Sequence, residues 1–441
     1  MLNRRDWLRA TGWGIGGAAA CSWFPLFARE IEAAGQRKRH CILLWMTGGA
    51  TQTDTFDMKV GHQNGGEFQE IATRAPGLRW SEHLPKLAEH AERIAVVRGL
   101  STKEGDHGRG TYLMRTGHQP MGPVRYPGIG SSLSKELADV ESGIPAYVAI
   151  SPYRAFNQAA FGPGFLGAPY APLTVGATDG PQAAAARGDG YAELRVDDLV
   201  PPDGISPRQF ASRVDLWRGM QERFLASHRT HSVQTHDTIY RRALKLMNSD
   251  MSKAFDLAQE SDSIREAYGK GRFGQGCLLA RRLIERGVGF VEVSLGTAAD
   301  GSLGWDTHLN NFPAVKALSS ELDAGWSMLM KELGERGLLD STTILWMGEF
   351  GRTPAINASA GRDHFPAAWT CVFAGGGIQG GQAYGKTSED GMRVEEGKVD
   401  VGDVLATLSA AVGVDPSTQN ISEVGRPIRI AEGTPISAIL S

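Results

Sequence analysis

Thr342-Thr343-Ile344-Leu345-Trp346-Met347-Gly348-Glu349-Phe350-Gly351-Arg352-Thr353-Pro354 is the stretch that decides the fold. Its β-branched and apolar start predicts a buried strand. A carboxylate, Glu349, stands where that strand ends, and open α/β sheets place their ligands at the carboxyl ends of strands. Gly361-Arg362-Asp363-His364-Phe365-Pro366 follows in a loop marked by Gly and Pro. Carboxylate oxygen and imidazole nitrogen are the ligands of a zinc-class or manganese-class cation. The same residues would also serve as plain loop ion pairs, Glu349 with Arg352 and Asp363 with Arg362.

A second constellation lies upstream. Gly304-Trp305-Asp306-Thr307-His308 precedes a helical pattern over residues 312–336. Asp306 there is either a helix cap or a metal ligand. Asp306, His308, Glu349, Asp363 and His364 together are five potential ligands behind two successive strands. The set is less specific than a repeated Cys-x-x-Cys pattern, because Asp, Glu and His have many other uses.

The pattern around these motifs alternates. Strands are expected at 41–46, 94–98, 146–150, 288–294, 342–345 and 368–374. Helices are expected at 82–93, 111–117, 131–139, 207–227, 238–247, 272–286, 312–336 and 401–412. Such alternation implies an α/β fold with a mainly parallel sheet and helices on both faces. Residues 151–202, rich in Gly, Pro and Ala, read as long ordered loops shaping a cleft or cover. Gly380-Gly381-Gln382-Ala383-Tyr384-Gly385-Lys386-Thr387 fits a phosphate-loop pattern. Ser388-Glu389-Asp390-Gly391 after it is turn chemistry rather than the helix such a loop requires, so a glycine loop feeding a hairpin is expected.

The 441 residues are 41% hydrophobic and 22% charged with a net charge of −3, an ordinary globular composition that gives no support for nucleic-acid binding. Residues 1–36 read as an address and linker: Asn3-Arg4-Arg5-Asp6-Trp7-Leu8-Arg9 resembles a twin-arginine export signal and precedes a weakly apolar stretch. The export machinery is therefore an expected partner, with a periplasmic or cell-surface destination. Cys21 follows Ala18-Ala19-Ala20 without the residue pattern of a lipid-attachment site. Cys41, Cys277 and Cys371 sit in apolar runs and read as buried hydrophobes. One α/β domain is expected over residues 37–441.

Taken in order, the motifs resemble a known family. They are the Arg-Arg leader, Met46-Thr47-Gly48-Gly49-Ala50-Thr51-Gln52-Thr53-Asp54-Thr55-Phe56-Asp57, Ser81-Glu82-His83-Leu84-Pro85, Ala280-Arg281-Arg282-Leu283-Ile284-Glu285, Trp305-Asp306-Thr307-His308 and the Glu349 and Asp363 motifs. The chain is similar to the exported bacterial family catalogued as domain of unknown function 1501, within the alkaline phosphatase and sulfatase superfamily. The resemblance implies an alkaline-phosphatase-like three-layer sandwich. It implies a divalent metal (zinc, manganese or calcium) held by Asp306, His308, Glu349, Asp363 and His364. The superfamily's Asp after the first strand is replaced by Thr47-Gly48-Gly49, and Asp54 or Asp57 is the expected substitute. Counting back from Arg115-Thr116-Gly117 puts His107 at the superfamily's nucleophile position, with Arg109 beside it to hold an anionic group. Two functions follow: a metal-dependent hydrolase of phosphate or sulfate esters, or a non-catalytic protein that binds metal or an anionic polysaccharide.

Overall fold

The computed structural model describes residues 39–138, 144–176, 190–196, 199, 204–228, 230–247, 250–296 and 303–441. The leader expected at 1–36, Cys21 included, lies outside these residues. Eight strands form the main sheet: β1 His40–Met46, β2 Ile94–Leu100, β3 Tyr147–Ile150, β4 Leu173–Val175, β5 Phe290–Leu295, β6 Thr342–Gly348, β7 Trp369–Gly375 and β8 Gln382–Tyr384. Their order is β8-β2-β7-β6-β1-β5-β3-β4. Only β7 runs against its neighbours. The sheet is thus mainly parallel, as the alternation of elements predicts.

Register fixes where the loops emerge. β1 pairs with β6 so that Met46 faces Gly348, and with β5 so that Met46 faces Leu295. Three central strands therefore end level. The turn after β1, Glu349 after β6 and the segment that reaches Asp306 after β5 all start from one edge.

The seven helices of nine or more residues among the described residues are α1 His107–Thr116, α2 Ile129–Leu137, α3 Pro207–Ser227, α4 His231–Met247, α5 Arg272–Glu285, α6 Asn311–Glu335 and α7 Val401–Ala411. Strand alternation divides the core. Ile42, Leu44 and Met46 point to one face and pack with Leu278, Leu279, Leu318 and Leu322 from α5 and α6. Cys41, Leu43 and Trp45 point to the other and pack with Leu113, Leu133, Leu405 and Leu408 from α1, α2 and α7. Three layers result.

Several boundaries differ from expectation for local reasons. The helix expected at 82–93 is a four-residue helix, Pro85–Ala88, followed by a single 3-10 turn, because Arg79–Ser81 is used as a strand. Residues 151–176 are not all loop, since Leu173–Val175 adds a strand at the sheet edge. Within the phosphate-loop look-alike, Gln382–Tyr384 is an edge strand, and Lys386–Thr387 pairs antiparallel with Val394–Glu396. No helix follows the lysine, as the turn residues require. Cys41, Cys277 and Cys371 are free and buried.

One expected substitute ligand, Asp54, has a structural task instead. It is fully buried, and Arg362 grips it with two parallel bonds, Nε to Oδ2 at 2.7 Å and Nη2 to Oδ1 at 2.8 Å. Asn311 and Thr51 donate to Oδ2 at 2.8 and 2.9 Å. Both carboxylate oxygens are thereby taken, and the loop after β1 is tied to the loop that carries His364. Arg362 also donates to the Asn64 carbonyl at 2.9 Å. Breaking such a pair leaves a buried charge without compensation. Asp54→Ala is expected to lower unfolding free energy by about 3–5 kcal/mol, measured by denaturant titration.

Candidate metal centre

His107 opens α1. Asp106 caps this helix, its Oδ1 accepting from Arg109 N at 3.0 Å, and the helix begins four residues earlier than its apolar pattern suggests. The other end of α1 is anchored in the core. Arg115 pairs with Glu292 of β5, which also accepts from Tyr147 Oη at 2.6 Å, and the guanidinium lies over the Phe161 ring at 3.7 Å. A helix pinned so firmly at its last turn holds its first residue in place. His107 stacks on Phe156 at 4.2 Å and directs Nδ1 to Glu349 Oε1 at 2.7 Å.

Two further histidines are set in the same way. His308 Nδ1 faces Asp363 Oδ1 at 2.7 Å, and His364 Nδ1 faces the Gly105 carbonyl at 2.7 Å. A carbonyl or a carboxylate only accepts, so in each ring Nδ1 carries the proton. Each Nε2 is then turned toward Asp306. Asp306 Oδ1 lies 3.3 Å from His107 Nε2, 3.2 Å from His308 Nε2 and 3.3 Å from His364 Nε2. The His308 and His364 Nε2 atoms are 2.9 Å apart. Ligand atoms of His107, Asp306 and His364 all fall within 4.8 Å of one another.

The loops that carry these groups are stitched together. Arg362 N donates to the Thr307 carbonyl at 2.9 Å, and Asn357 Nδ2 to the His308 carbonyl at 2.9 Å. His364–Phe365 pairs antiparallel with Gly351–Arg352. The turn after β1 approaches closely too: a Cβ on Gly48, which has φ +101°, would lie 2.4 Å from Asp306 N. No side chain, acidic or otherwise, fits there. In its place Gly48 donates its own N–H to Glu349 Oε1 at 2.8 Å.

Arg352 fills the remaining space. It is fully buried and donates to the Gly48 and Gly49 carbonyls, to the Arg362 carbonyl and to Asp306 Oδ1. The ion pairs expected as the plain alternative are thus exchanged. Arg352 goes to Asp306, Arg362 to Asp54, Glu349 to His107 and Asp363 to His308.

The structure therefore brings His107, Asp306, His308, Glu349, Asp363 and His364 into one cluster, and leaves Asp54 apart from it. Within the cluster the positions sort differently from expectation. His107 stands among the inward nitrogens, whereas Glu349 and Asp363 lie behind imidazoles as hydrogen-bond acceptors. Glu349 Oε2 is buried with no hydrogen-bond partner among the described residues. Arg109 is two residues past His107, largely exposed, and donates to Glu104 at 3.0 Å. Asp106 was the available signal for His107, since an N-cap Asp converts a supposed surface turn into a helix start. Arg352 carried no comparable signal.

The electrostatics follow the geometry. Burial depresses the His107 pKa, but the Asp306 and Glu349 carboxylates outweigh it and lift the pKa to about 9. Burial pushes Asp306 up, and His107, His364 and Arg352 overcome this to hold it well below the usual carboxylate range. The His308 hydrogen bond, against slight desolvation, lowers Asp363.

The chain belongs to the family described as protein of unknown function (DUF1501), whose model matches residues 38–440. A comparison with curated proteins found no match. Among solved structures, the chain is similar to the PsFucS1 sulfatase from Pseudoalteromonas sp., at 12% identity and TM-score 0.39, covering 88% of this chain and 70% of that one. It is similar to a protein in the alkaline phosphatase superfamily from Vibrio parahaemolyticus, at 12% identity and TM-score 0.35, covering 86% and 67%. A third is the phosphonate monoester hydrolase of Agrobacterium radiobacter, at 9% identity and TM-score 0.38, covering 91% and 77%.

In metal-free protein, the His107 ring is expected to titrate near 9, and Asp306→Asn is expected to lower that value, as read from histidine ring signals by NMR. Because the folded pKa exceeds the ordinary 6.5, the stabilisation from His107 is complete below about 6.5 and is lost as pH rises through about 9. Thermal unfolding of metal-free protein across that range checks the sign.

Proposed function

We propose that this protein is a metal-dependent hydrolase of phosphate or sulfate esters. One observation carries the metal part of this reading: three imidazole Nε2 atoms and Asp306 Oδ1 converge while every opposite ring nitrogen is held by an acceptor. Carboxylate- or carbonyl-backed imidazole is the usual arrangement of histidine ligands, which the acceptor fixes in tautomer and orientation. The donor set fits a zinc-class, manganese-class or iron-class cation, and calcium, which takes oxygen ligands, fits it poorly.

His107, His364 and Asp306 would hold the ion, with His308 beside Asp306 and His364. When bound, it would polarise an ester oxygen and lower the pKa of water toward neutrality. Glu349 orients His107, Asp363 orients His308, and the Gly105 carbonyl orients His364. Arg352 fixes the rotamer of Asp306 and balances its charge. Exposure increases from buried Glu349 to Asp363, which is 54% exposed, so solvent and substrate would enter on the His308–Asp363 side. Arg109 offers an exposed guanidinium on the helix that carries His107. The family resemblance supplies the anionic-ester substrate class.

A specific feature favours a second reading. No Ser, Thr or Cys side chain joins the cluster among the described residues. On this reading the protein binds metal, or an anionic polysaccharide through it, without turnover.

Elemental analysis of the native protein followed by assay on aryl phosphate, sulfate and phosphonate esters separates the two. Bound metal with turnover on one ester class is the expected result. His107→Ala is expected to lower metal content by about 10-fold or more and turnover with it. Full metal loading with no turnover on any ester overturns the hydrolase reading and leaves the binding one.

A further inference from the structure

A patch far from the metal centre in sequence has no task in the reading above. Helix α3, Pro207–Ser227, spans 21 residues and buries none of them. A surface helix normally buries one apolar stripe. Phe210, Val214, Trp217 and Leu225 are half-covered, and Trp217 stacks on Tyr240 of α4 at 5.4 Å. A second stripe is left uncovered. Leu216, Met220 and Phe224, four residues apart and so on one side of the helix, are 64%, 57% and 46% exposed. Among the described residues, Phe224 stacks only on the exposed ring of His228 at 4.2 Å.

Charge is segregated around this stripe. Arg213 precedes Leu216 by three residues and Arg223 follows Met220 by three, so both border it. Both are exposed, and neither has an ion pair among the described residues. The acidic residues of the helix, Asp215 and Glu222, fall about 140–160° around the axis from the stripe. Arg218, on that far side, pairs with Asp215 at 3.6 Å.

We infer that α3 docks the protein on an anionic lipid surface, with Leu216, Met220 and Phe224 entering the headgroup region and Arg213 and Arg223 meeting lipid phosphates. An apolar stripe bordered by arginine, with acids turned away, is the pattern of a helix that lies in a membrane interface. A two-fold copy of this chain fits less well, because pairing the stripes would gather Arg213 and Arg223 of both copies into one interface whose facing stripes carry no carboxylate. No helix among the described residues is long and apolar enough to cross a membrane, and the docking proposed is at the surface.

The test is co-sedimentation of the full chain with vesicles of phosphatidylglycerol and phosphatidylcholine, beside vesicles of phosphatidylcholine alone. Binding is expected to the anionic vesicles, to weaken with added salt, and to fall about tenfold or more in the triple variant Leu216→Gln, Met220→Gln, Phe224→Gln. Circular dichroism and metal content serve as controls, and both are expected to match the unmodified protein. Equal sedimentation of parent and variant overturns the inference, as does absence of binding to anionic vesicles. A concentration-dependent dimer that the triple variant abolishes, without vesicle binding, overturns it in favour of a second copy.

Discussion

One carboxylate oxygen organises the candidate site. Asp306 Oδ1 faces three imidazole nitrogens and the Arg352 guanidinium, and each comes from a different segment of the chain. Such a concentration of donors holds only if every group is gripped from behind. Glu349, Asp363 and the Gly105 carbonyl grip the rings, while Gly48, Gly49 and Arg362 carbonyls grip Arg352. The rest of the fold supplies these grips: level strand ends for Glu349, a core-anchored helix for His107, and the Asp54–Arg362 pair for the loop of His364.

Much of this was legible in the sequence, for identifiable reasons. The apolar strands reveal themselves because they are buried on both faces, as in His40–Met46 and Thr342–Gly348. That Glu349, Asp306 and His364 would meet was legible because functional groups gather where parallel strands end. Their division of labour was not. Whether a carboxylate meets an ion or an imidazole depends on about one side-chain length, and spacing along the chain does not encode it. Asp54 misleads for the same reason: an acid after the first strand looks like a ligand until Arg362, 308 positions away, is seen to take both its oxygens. Thr47-Gly48-Gly49 reads as a lost acidic ligand, yet it is what allows Asp306 and Glu349 to approach the end of β1 at all.

Arg352 gives the centre a built-in cation. Its guanidinium stays charged over any ordinary pH range, so Asp306 keeps a partner whether or not a metal is bound. Burial pulls the Arg352 pKa down while Asp306 and Glu349 draw it back. A permanent charge there stabilises the carboxylate in the empty site and tempers the attraction the site offers to a second positive ion.

The order in which the centre comes into being follows from its connectivity. His107, the Asp306–His308 turn and the Glu349–His364 loops meet only after β1, β5 and β6 have paired in register. Pairings this distant along the chain form late in folding, after the loop-closure entropy has been met. A metal ion would therefore find no partial nest on a chain whose central strands have not yet paired. The pocket would be filled only once these strands have paired, which would make loading an act of maturation and not of folding.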